Sequence, residues 1–300
     1  MRAVVAALRR YARADANVLI TGETGTGKDL AARTLHQLGR RRGHPFIVID
    51  CPGLATSLLE AELFGHEVGA FTDATTARPS RFELAGEGTA YLDRVDELSL
   101  DSQAKLLRLV EQKQVERLGS TVAVPIRARV VASAADGIEA AVRDGRFRMD
   151  LYHRLRVLPI RIPPLRQRRG DVPVLARRLM TELTNAAGQR GALAISRDAM
   201  AILTAYDWPG NVRELRHVLE RAVTASDANV IEADDLADVA PSPERLAAGQ
   251  TSERPTLDDL ERRYVAFVLQ ETKGNQSRAA SVLGISRKAL WEKRKRYGLE

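Results

Sequence analysis

Gly22-Glu23-Thr24-Gly25-Thr26-Gly27-Lys28-Asp29 follows the apolar run Asn17-Val18-Leu19-Ile20-Thr21 and leads into a stretch of helical character, Asp29–Leu38. The spacing is GxxxxGK, set where a strand passes through a glycine turn into a helix, which is the context that this motif requires. The glycines let successive backbone N–H groups converge on phosphate oxygens, and the dipole of the following helix adds to their attraction. Lys28 is placed to reach the β- and γ-phosphates as a mobile positive charge. Gly22, Glu23, Thr24, Gly25, Thr26, Gly27, Lys28 and Asp29 are therefore the candidate nucleotide contacts, with ATP and Mg²⁺ the expected cofactors. Asp29 stands where Ser or Thr usually meets the metal, so that contact is expected to differ in detail.

Further apolar strands follow at Pro45–Asp50, Thr89–Leu92 and Ala128–Ser133, separated by helical patterns that include 4–13 and Ser102–Gln112. Strands alternating with helices predict an α/β fold with a parallel sheet, whose C-terminal strand edges form the ligand crevice. Tyr91-Leu92-Asp93 ends one of these strands, and Asp93 is the candidate Mg²⁺ ligand beside Asp29. From Gly170 to Ala237 the pattern is all-helical and reads as a lid subdomain. Residues 240–256 are rich in Pro, Ser and Gly, carry no periodicity, and read as a linker. The expected organisation is a nucleotide-binding α/β unit over 1–168, a helical lid over 169–239, the linker over 240–256 and a small all-α unit over 257–300.

Charge is concentrated in that last unit. Lys273, Arg278, Arg287, Lys288, Lys293, Arg294, Lys295 and Arg296 face Glu292 alone between 273 and 299, which accounts for the whole formal charge of +7. A basic block confined to one end points to a polyanion partner. Asn275–Ser286 has the proportions of a helix, a glycine turn at Gly284 and a capped helix start at Ser286, so the end reads as a helix-turn-helix for double-stranded DNA. Ala280, Leu283, Ile285 and Leu290 form its expected core. Arg287–Tyr297 is the expected groove helix, presenting Arg287, Lys288, Lys293, Arg294 and Arg296. Ser286, Arg287, Lys288, Trp291 and Arg294 are the candidate DNA contacts, with Trp291 expected rather to pack on the preceding helix. Leu257, Leu260, Tyr264, Phe267 and Val268 offer a dimer surface on the helix over 257–270.

Composition excludes other classes. Hydrophobic residues make up 44% and charged residues 28%, ordinary for a globular protein. Arg, Asp or Glu interrupts every apolar run before the ~20 residues that a membrane helix needs. The start, MRAVVAALRRYARAD, is basic but lacks a long apolar stretch, so no secretory leader and a cytoplasmic location are expected. The lone Cys51 excludes an internal disulfide and fits a reducing compartment.

The ordered set GETGTGKD (22–29), ELFGHE (62–67), GAFTDA (69–74), FRMDLYHRL (147–155), PPLRQR (163–168), WPGNVREL (208–215) and the terminal helix-turn-helix resembles the sigma-54-dependent enhancer-binding proteins, a branch of the AAA+ ATPases. The resemblance covers nearly the whole chain. It implies a homo-oligomer, from a dimer up to a hexameric ring, that couples ATP turnover to remodelling of sigma-54 RNA polymerase. It further implies that Gly69, Ala70, Phe71, Thr72, Asp73 and Ala74 form the loop that touches sigma-54, with Phe71 and Thr72 the contacting pair. Asp73 takes the place of the family's second glycine. Arg148 and Arg154 match the arginines offered across a subunit boundary to the γ-phosphate, though salt bridges would equally occupy them. Arg213 matches the lid arginine that senses nucleotide. His66 and His153 fall within motifs but lack a ligand cluster, so packing or hydrogen bonding is expected of them.

Three departures cluster at the hydrolytic centre. Arg94 stands where the family has the water-polarising Glu, Asp50 where it has Asn, and Ala134-Ala135 where it has Thr-Asn. An Asp50–Arg94 ion pair is expected, since an unpaired charge at a buried strand end would be costly. Either Asp50, Asp96 or Glu97 then orients water, or hydrolysis is nearly absent. The family also carries a Gly-x-Ser segment just before the position of Met1, and its absence reads as a late start, a trimmed chain or a weakened base pocket. No sensory domain is expected ahead of the nucleotide-binding unit. Two readings follow: an ATP-driven activator, or a DNA-binding regulator for which ATP is only a ligand or assembly switch. An unrelated motor or chaperone would leave GAFTDA and the helix-turn-helix without a purpose.

Overall fold

The structure is a computed structural model that describes residues 1–52, 56–71, 74–186, 194–225, 230–236, 239, 257–272 and 274–298. Thr72, Asp73, Lys273 and the 240–256 segment lie outside the described residues. The chain divides into two compact units, Met1–Asp171 with Gly210–Leu215, and Val172–Pro209 with Arg216–Glu300. Among the described residues no helix is long and apolar enough to cross a membrane.

The first unit runs α1 (Arg2–Tyr11), β1 (Val18–Thr21), α2 (Lys28–Gln37), β2 (Phe46–Asp50), α3 (Thr56–Phe64), α4 (Arg81–Ala85), β3 (Thr89–Asp93), α5 (Leu100–Gln112), β4 (Gln114–Glu116), β5 (Ala123–Pro125), β6 (Arg129–Ala134), α6 (Ile138–Arg143), α7 (Met149–Leu155) and β7 (Leu158–Arg161). Five strands form one sheet in the order β2-β3-β6-β1-β7, and every neighbouring pair is parallel. The expected α/β parallel sheet is therefore present. It has one more strand than the sequence pattern offered, because β7 is only four residues long and is interrupted by Pro159.

Side chains alternate between two apolar layers, as the period of a strand requires. Val18 and Ile20 join Tyr91, Val131 and Ile160 against Ala31, Ala32 and Leu35 of α2 and Val4 and Leu8 of α1. Leu19 faces the other layer with Ile49, Leu92, Val130 and Ala132, packed on Leu106 and Leu109 of α5 and Leu151 and Leu155 of α7. The register sets Asp50 opposite Asp93 and Thr21 opposite both Ala134 and Arg161. All five strands thus end along one edge, where the loops that bear the chemistry begin.

In the second unit α8 (Val172–Ala186), α9 (Arg197–Ala205) and α10 (Asn211–Ala225, whose first turn belongs to the first unit) make up a helical subdomain. The stretch expected to be wholly helical also contains a parallel pair, β8 (Ala194–Ile195) with β9 (Val230–Ile231). Two-residue strands are too short to show a periodicity. Trp208 is fully buried there and donates its indole N–H to Leu203 O at 2.8 Å. The chain ends in α11 (Leu257–Glu271), α12 (Gln276–Val282) and α13 (Arg287–Tyr297).

Candidate functional site

The glycine loop leaves β1 at Thr21 and enters α2 at Lys28, with Gly27 as N-cap in a left-handed conformation, φ 101°. A Cβ on Gly27 would meet nothing within 4 Å, so the loop is open there. Gly25 is the opposite case: its φ is +80°, and a Cβ would lie 2.2 Å from Gly210 O and 3.1 Å from Arg213 Cβ. Lys28 is buried, and its ammonium donates to Gly22 O at 2.6 Å and Glu23 O at 3.2 Å. Burial pushes the Lys28 pKa down, against the pull of Asp93 and Asp96. Thr26 Oγ1 donates to Glu23 O at 2.7 Å, which tightens the turn.

Side chains from two later motifs hold the loop. Arg166 grips Glu23 with both terminal nitrogens, at 2.8 and 2.5 Å, and the guanidinium holds the Glu23 carboxyl below its usual range. Arg168, nearly buried, donates to Thr26 O at 3.1 Å. Asn211 is fully buried at φ 54° and acts as a three-way pin. Its amide donates to Thr24 O at 3.0 Å and Glu23 Oε2 at 3.2 Å, and its carbonyl oxygen accepts from Leu165 N–H at 2.7 Å. The sequence offered Asn211 only within the WPGNVREL motif. Its place directly after Pro209-Gly210, with the tolerance of Asn for αL geometry, was the signal available. Arg213 follows on the exposed side of the same turn, beside Gly25.

Asp93 closes the edge of β3. Its Oδ1 accepts from Ser133 Oγ at 2.5 Å and Tyr91 OH at 3.0 Å, two donors that the sequence did not reveal. Asp29, the other expected metal ligand, is paired with Arg33 one helical turn on, at 2.9 Å, and both are about half exposed. The Asp50–Arg94 ion pair is present at 3.1 Å. Its side chains are 53% and 45% exposed, so the buried strand end from which the pair was expected is in fact wet. Cys51 is buried, and burial, aided by the charges of Asp93, Asp50 and Asp96, pushes its thiol pKa up. Among the described residues no group of three or more His, Cys, Asp or Glu is arranged for a metal ion. His153 is exposed and meets the Tyr152 ring edge-on, with centroids 5.5 Å apart.

Arg148 and Arg154 are exposed, and each is occupied by an acid of its own chain. Arg148 holds Asp150 through Nε and Nη2, at 3.1 and 2.8 Å, and Arg154 holds Glu111 at 3.2 and 2.9 Å.

Gly69 and Ala74 close the expected contact loop. Gly69 N–H donates to Ala74 O at 2.9 Å and Ala74 N–H to Phe71 O at 3.0 Å. Phe71 is 40% exposed with its ring against the buried His66 imidazole, centroids 5.0 Å apart. Glu67 N–H donates to Leu118 O, and Arg117 binds both Glu67 and Glu83, so the loop base is fastened to the β4–β5 hairpin.

In the terminal unit Ser286 caps α13 by accepting from Ala289 N–H at 3.1 Å, and Asn275 caps α12 in the same way. The core is Val265, Val268, Ala279, Ala280 and Leu290, with Phe267, Leu269, Leu283 and Ile285 against it. Val268 thus fills the core of its own unit, and half-buried Phe267 packs against it. Tyr264 remains partly exposed; the side chains of Leu257 and Leu260 lie outside the described residues. Trp291 is 57% exposed, not packed on the preceding helix, and the Lys295 ammonium sits 5.5 Å from its ring centre. Arg287 and Lys288 are exposed and Arg294 is half-buried. Lys293 and Arg296, expected on the groove face, are instead bound to Glu261 and Asp258 of α11.

Residues 1–161 match the Sigma-54 interaction domain, 166–254 the AAA+ ATPase lid domain, and 256–297 the Fis family of bacterial regulatory proteins. The chain is 41% identical over 298 residues to the regulatory protein AtoC of Escherichia coli, covering 97% of this chain and 64% of AtoC. It is 42% identical over 289 residues to the C4-dicarboxylate transport transcriptional regulatory protein DctD of Pseudomonas aeruginosa, covering 95% of this chain and 60% of DctD. It thus spans somewhat less than two thirds of the length of these relatives. Among solved structures, NtrX from Brucella abortus in complex with ADP superposes with a TM-score of 0.77 at 33% identity, covering 99% of this chain and 68% of NtrX. NtrX in complex with ATP gives a TM-score of 0.72 at the same identity, covering 99% and 67%. An open glycine cradle at the edge of a parallel sheet, a lid and a capped helix-turn-helix occur here in the order these models define, and the chain belongs to the sigma-54-dependent AAA+ transcription regulators with a Fis-type DNA-binding domain.

Proposed function

We propose that this chain binds ATP with Mg²⁺ in its glycine loop, binds double-stranded DNA through α13, and remodels sigma-54 RNA polymerase through the Gly69–Ala74 loop. The observation that carries the reading is Lys28. A buried ammonium turned onto the carbonyls of Gly22 and Glu23, beside a glycine whose Cβ position is open, is ready to exchange those carbonyls for phosphate oxygens. The NtrX complexes with ADP and ATP support the same assignment.

The donor set suits magnesium, which takes few protein carboxylates and keeps phosphate and water oxygens. Asp93, oriented by Ser133 and Tyr91, would hold it; Asp29 would first have to leave Arg33. Bound there, the metal supplies positive charge to the phosphate oxygens. Glu23, Arg166, Arg168 and Asn211 keep the loop amides in place, and Arg213 lies beside them. Arg148 and Arg154 serve a neighbouring subunit of a homo-oligomer, once released from Asp150 and Glu111. Phe71 offers an exposed aromatic edge to a partner's apolar pocket. Arg287, Lys288, Trp291 and Arg294 face the duplex, with Ser286 fixing the helix start.

A second reading has the chain use ATP as a ligand or assembly switch with little turnover. The Asp50–Arg94 pair favours it, because a cation occupies the place of the water-polarising acid. Equilibrium ATP–Mg²⁺ binding, steady-state hydrolysis and open-complex formation by sigma-54 polymerase, measured on one preparation, separate the two. Binding with turnover and open complexes supports the first, and binding alone the second. Indifference to millimolar ATP–Mg²⁺ and to duplex DNA at moderate salt would sink both.

A further inference from the structure

Beyond Asp93 the chain turns sharply. Arg94 takes a left-handed conformation, φ 57°, and its N–H donates to Ser133 Oγ at 2.9 Å. A single 3-10 turn, Val95–Glu97, follows and brings Asp96 to the end of β6. There Asp96 Oδ2 accepts the main-chain N–H of Ala135 at 3.2 Å. Its Oδ1 is buried and has no hydrogen-bond partner among the described residues. A buried carboxylate oxygen without a donor is rare and costly, and in native proteins it marks a place for water, an ion or chemistry.

The neighbours narrow the choice. Asp93 and Asp96 both attract the Lys28 ammonium, so Asp96 lies within the field of the glycine loop. The other acids near this edge are spent or outside it. Asp50 is half exposed and bound to Arg94, Asp93 Oδ1 already accepts two hydroxyls, and Glu97 is exposed. Ala134 and Ala135 carry no polar group, so a main-chain amide rather than a side chain fixes Asp96.

We infer that Asp96 is the catalytic carboxylate of this site, receiving through Oδ1 a proton from the water that attacks ATP, in place of the acid that Arg94 displaces. The inference rests on the reading that the glycine loop binds ATP. In the step, the water oxygen bonds to the γ-phosphorus, and the bond from that phosphorus to the bridging oxygen breaks with its electron pair leaving on ADP. Asp96 accepts one water proton and releases it to solvent; the other stays with the phosphate. Arg94 keeps to Asp50, so among the described residues no guanidinium occupies Asp96 Oδ1.

The test compares the full chain with Asp96→Asn, which preserves shape and still offers an oxygen to Ala135 N–H. Three readouts are taken with Mg²⁺: affinity for the N-methylanthraniloyl derivative of ATP, steady-state ATP turnover, and trapping of ADP by aluminium fluoride. We expect affinity within about twofold of the parent, turnover lower by about 10²-fold or more, and loss of ADP–aluminium fluoride trapping. Asp96→Glu, with the charge kept but displaced, should bind normally and recover part of both lost readouts, which guards against a folding defect in the first variant. Parental turnover in Asp96→Asn overturns the inference, as does a parent that binds the analogue without hydrolysing ATP. A parent that does not bind the analogue overturns the nucleotide reading itself, a different and distinguishable result.

Discussion

Arg94 Nη2 lies 3.1 Å from Asp50 Oδ1, joining the last residue of β2 to the first residue beyond β3 at the edge that carries the glycine loop. The pair is about half exposed, and pairs so placed contribute only about 0–1 kcal/mol. Its effect is therefore electrostatic and local: it sets a cation next to Asp93 in the chain.

Exchanging Arg94→Glu together with Asp50→Asn should raise steady-state ATP turnover, by up to about 10²-fold, while unfolding free energy shifts by less than about 1 kcal/mol. In that background Asp96→Asn should cost less than it does in the parent. A phosphate-release assay with a parallel urea melt checks both, and an unchanged rate would argue against Arg94 as the brake.

Gly25→Ala tests the cradle. The new Cβ would fall 2.2 Å from Gly210 O, a main-chain atom that cannot swing aside, at a φ of +80° that L-residues resist. We expect a loss of about 1–3 kcal/mol and at least about tenfold weaker nucleotide binding. Gly27→Ala meets no atom within 4 Å, so it should show the φ strain alone and destabilise less. Calorimetric titration and thermal melts of the two variants give the comparison.

Glu23→Gln breaks the two-pronged grip of Arg166 while keeping an acceptor for Asn211. Arg166 holds the Glu23 carboxyl below its ordinary value in the folded chain. A depressed carboxylate stabilises above its unfolded pKa and loses that contribution as pH falls through the folded one. The parent should exceed the variant by about 1 kcal/mol at neutral pH, given the exposure of both partners. The gap should close below about pH 4. Urea melts across this range decide; a gap that persists in acid would show that the ion pair is not its source.

What the sequence disclosed followed from local rules. The strand–glycine–helix order at 17–38 pointed to a glycine loop on a parallel sheet, and Gly284 with Ser286 to a turn and a cap, all of which are present. What it hid depends on distant partners. Ser133 and Tyr91 meet Asp93 only once β3 and β6 are in register, and Asn211 reaches Thr24 only after the chain has returned from the second unit. Lys293 and Arg296 were assigned to the groove helix by their charge, which does not tell which acids α11 turns toward them; Glu261 and Asp258 decided that.

The basic helix makes the sharpest contrast. Lys288 and Lys293 are one and a half turns apart on α13, with the same charge, yet Lys288 is exposed while Lys293 is bound to Glu261, whose carboxyl it holds low. If α13 lies in a duplex groove, Lys288 releases counterions on binding and Lys293 does not, because Glu261 already neutralises it. Lys288→Ala should weaken binding to any duplex and lower the slope of log affinity against log salt by about one, with stability changed by less than about 0.5 kcal/mol. Lys293→Ala should leave that slope in place and instead loosen α13 from α11, leaving Glu261 with the Tyr297 hydroxyl among the described residues. Fluorescence anisotropy over a salt series and a melt of each variant read the two effects separately. Equal salt slopes for both variants would mean that the ion pair opens on DNA and that the resting geometry does not choose the contacts.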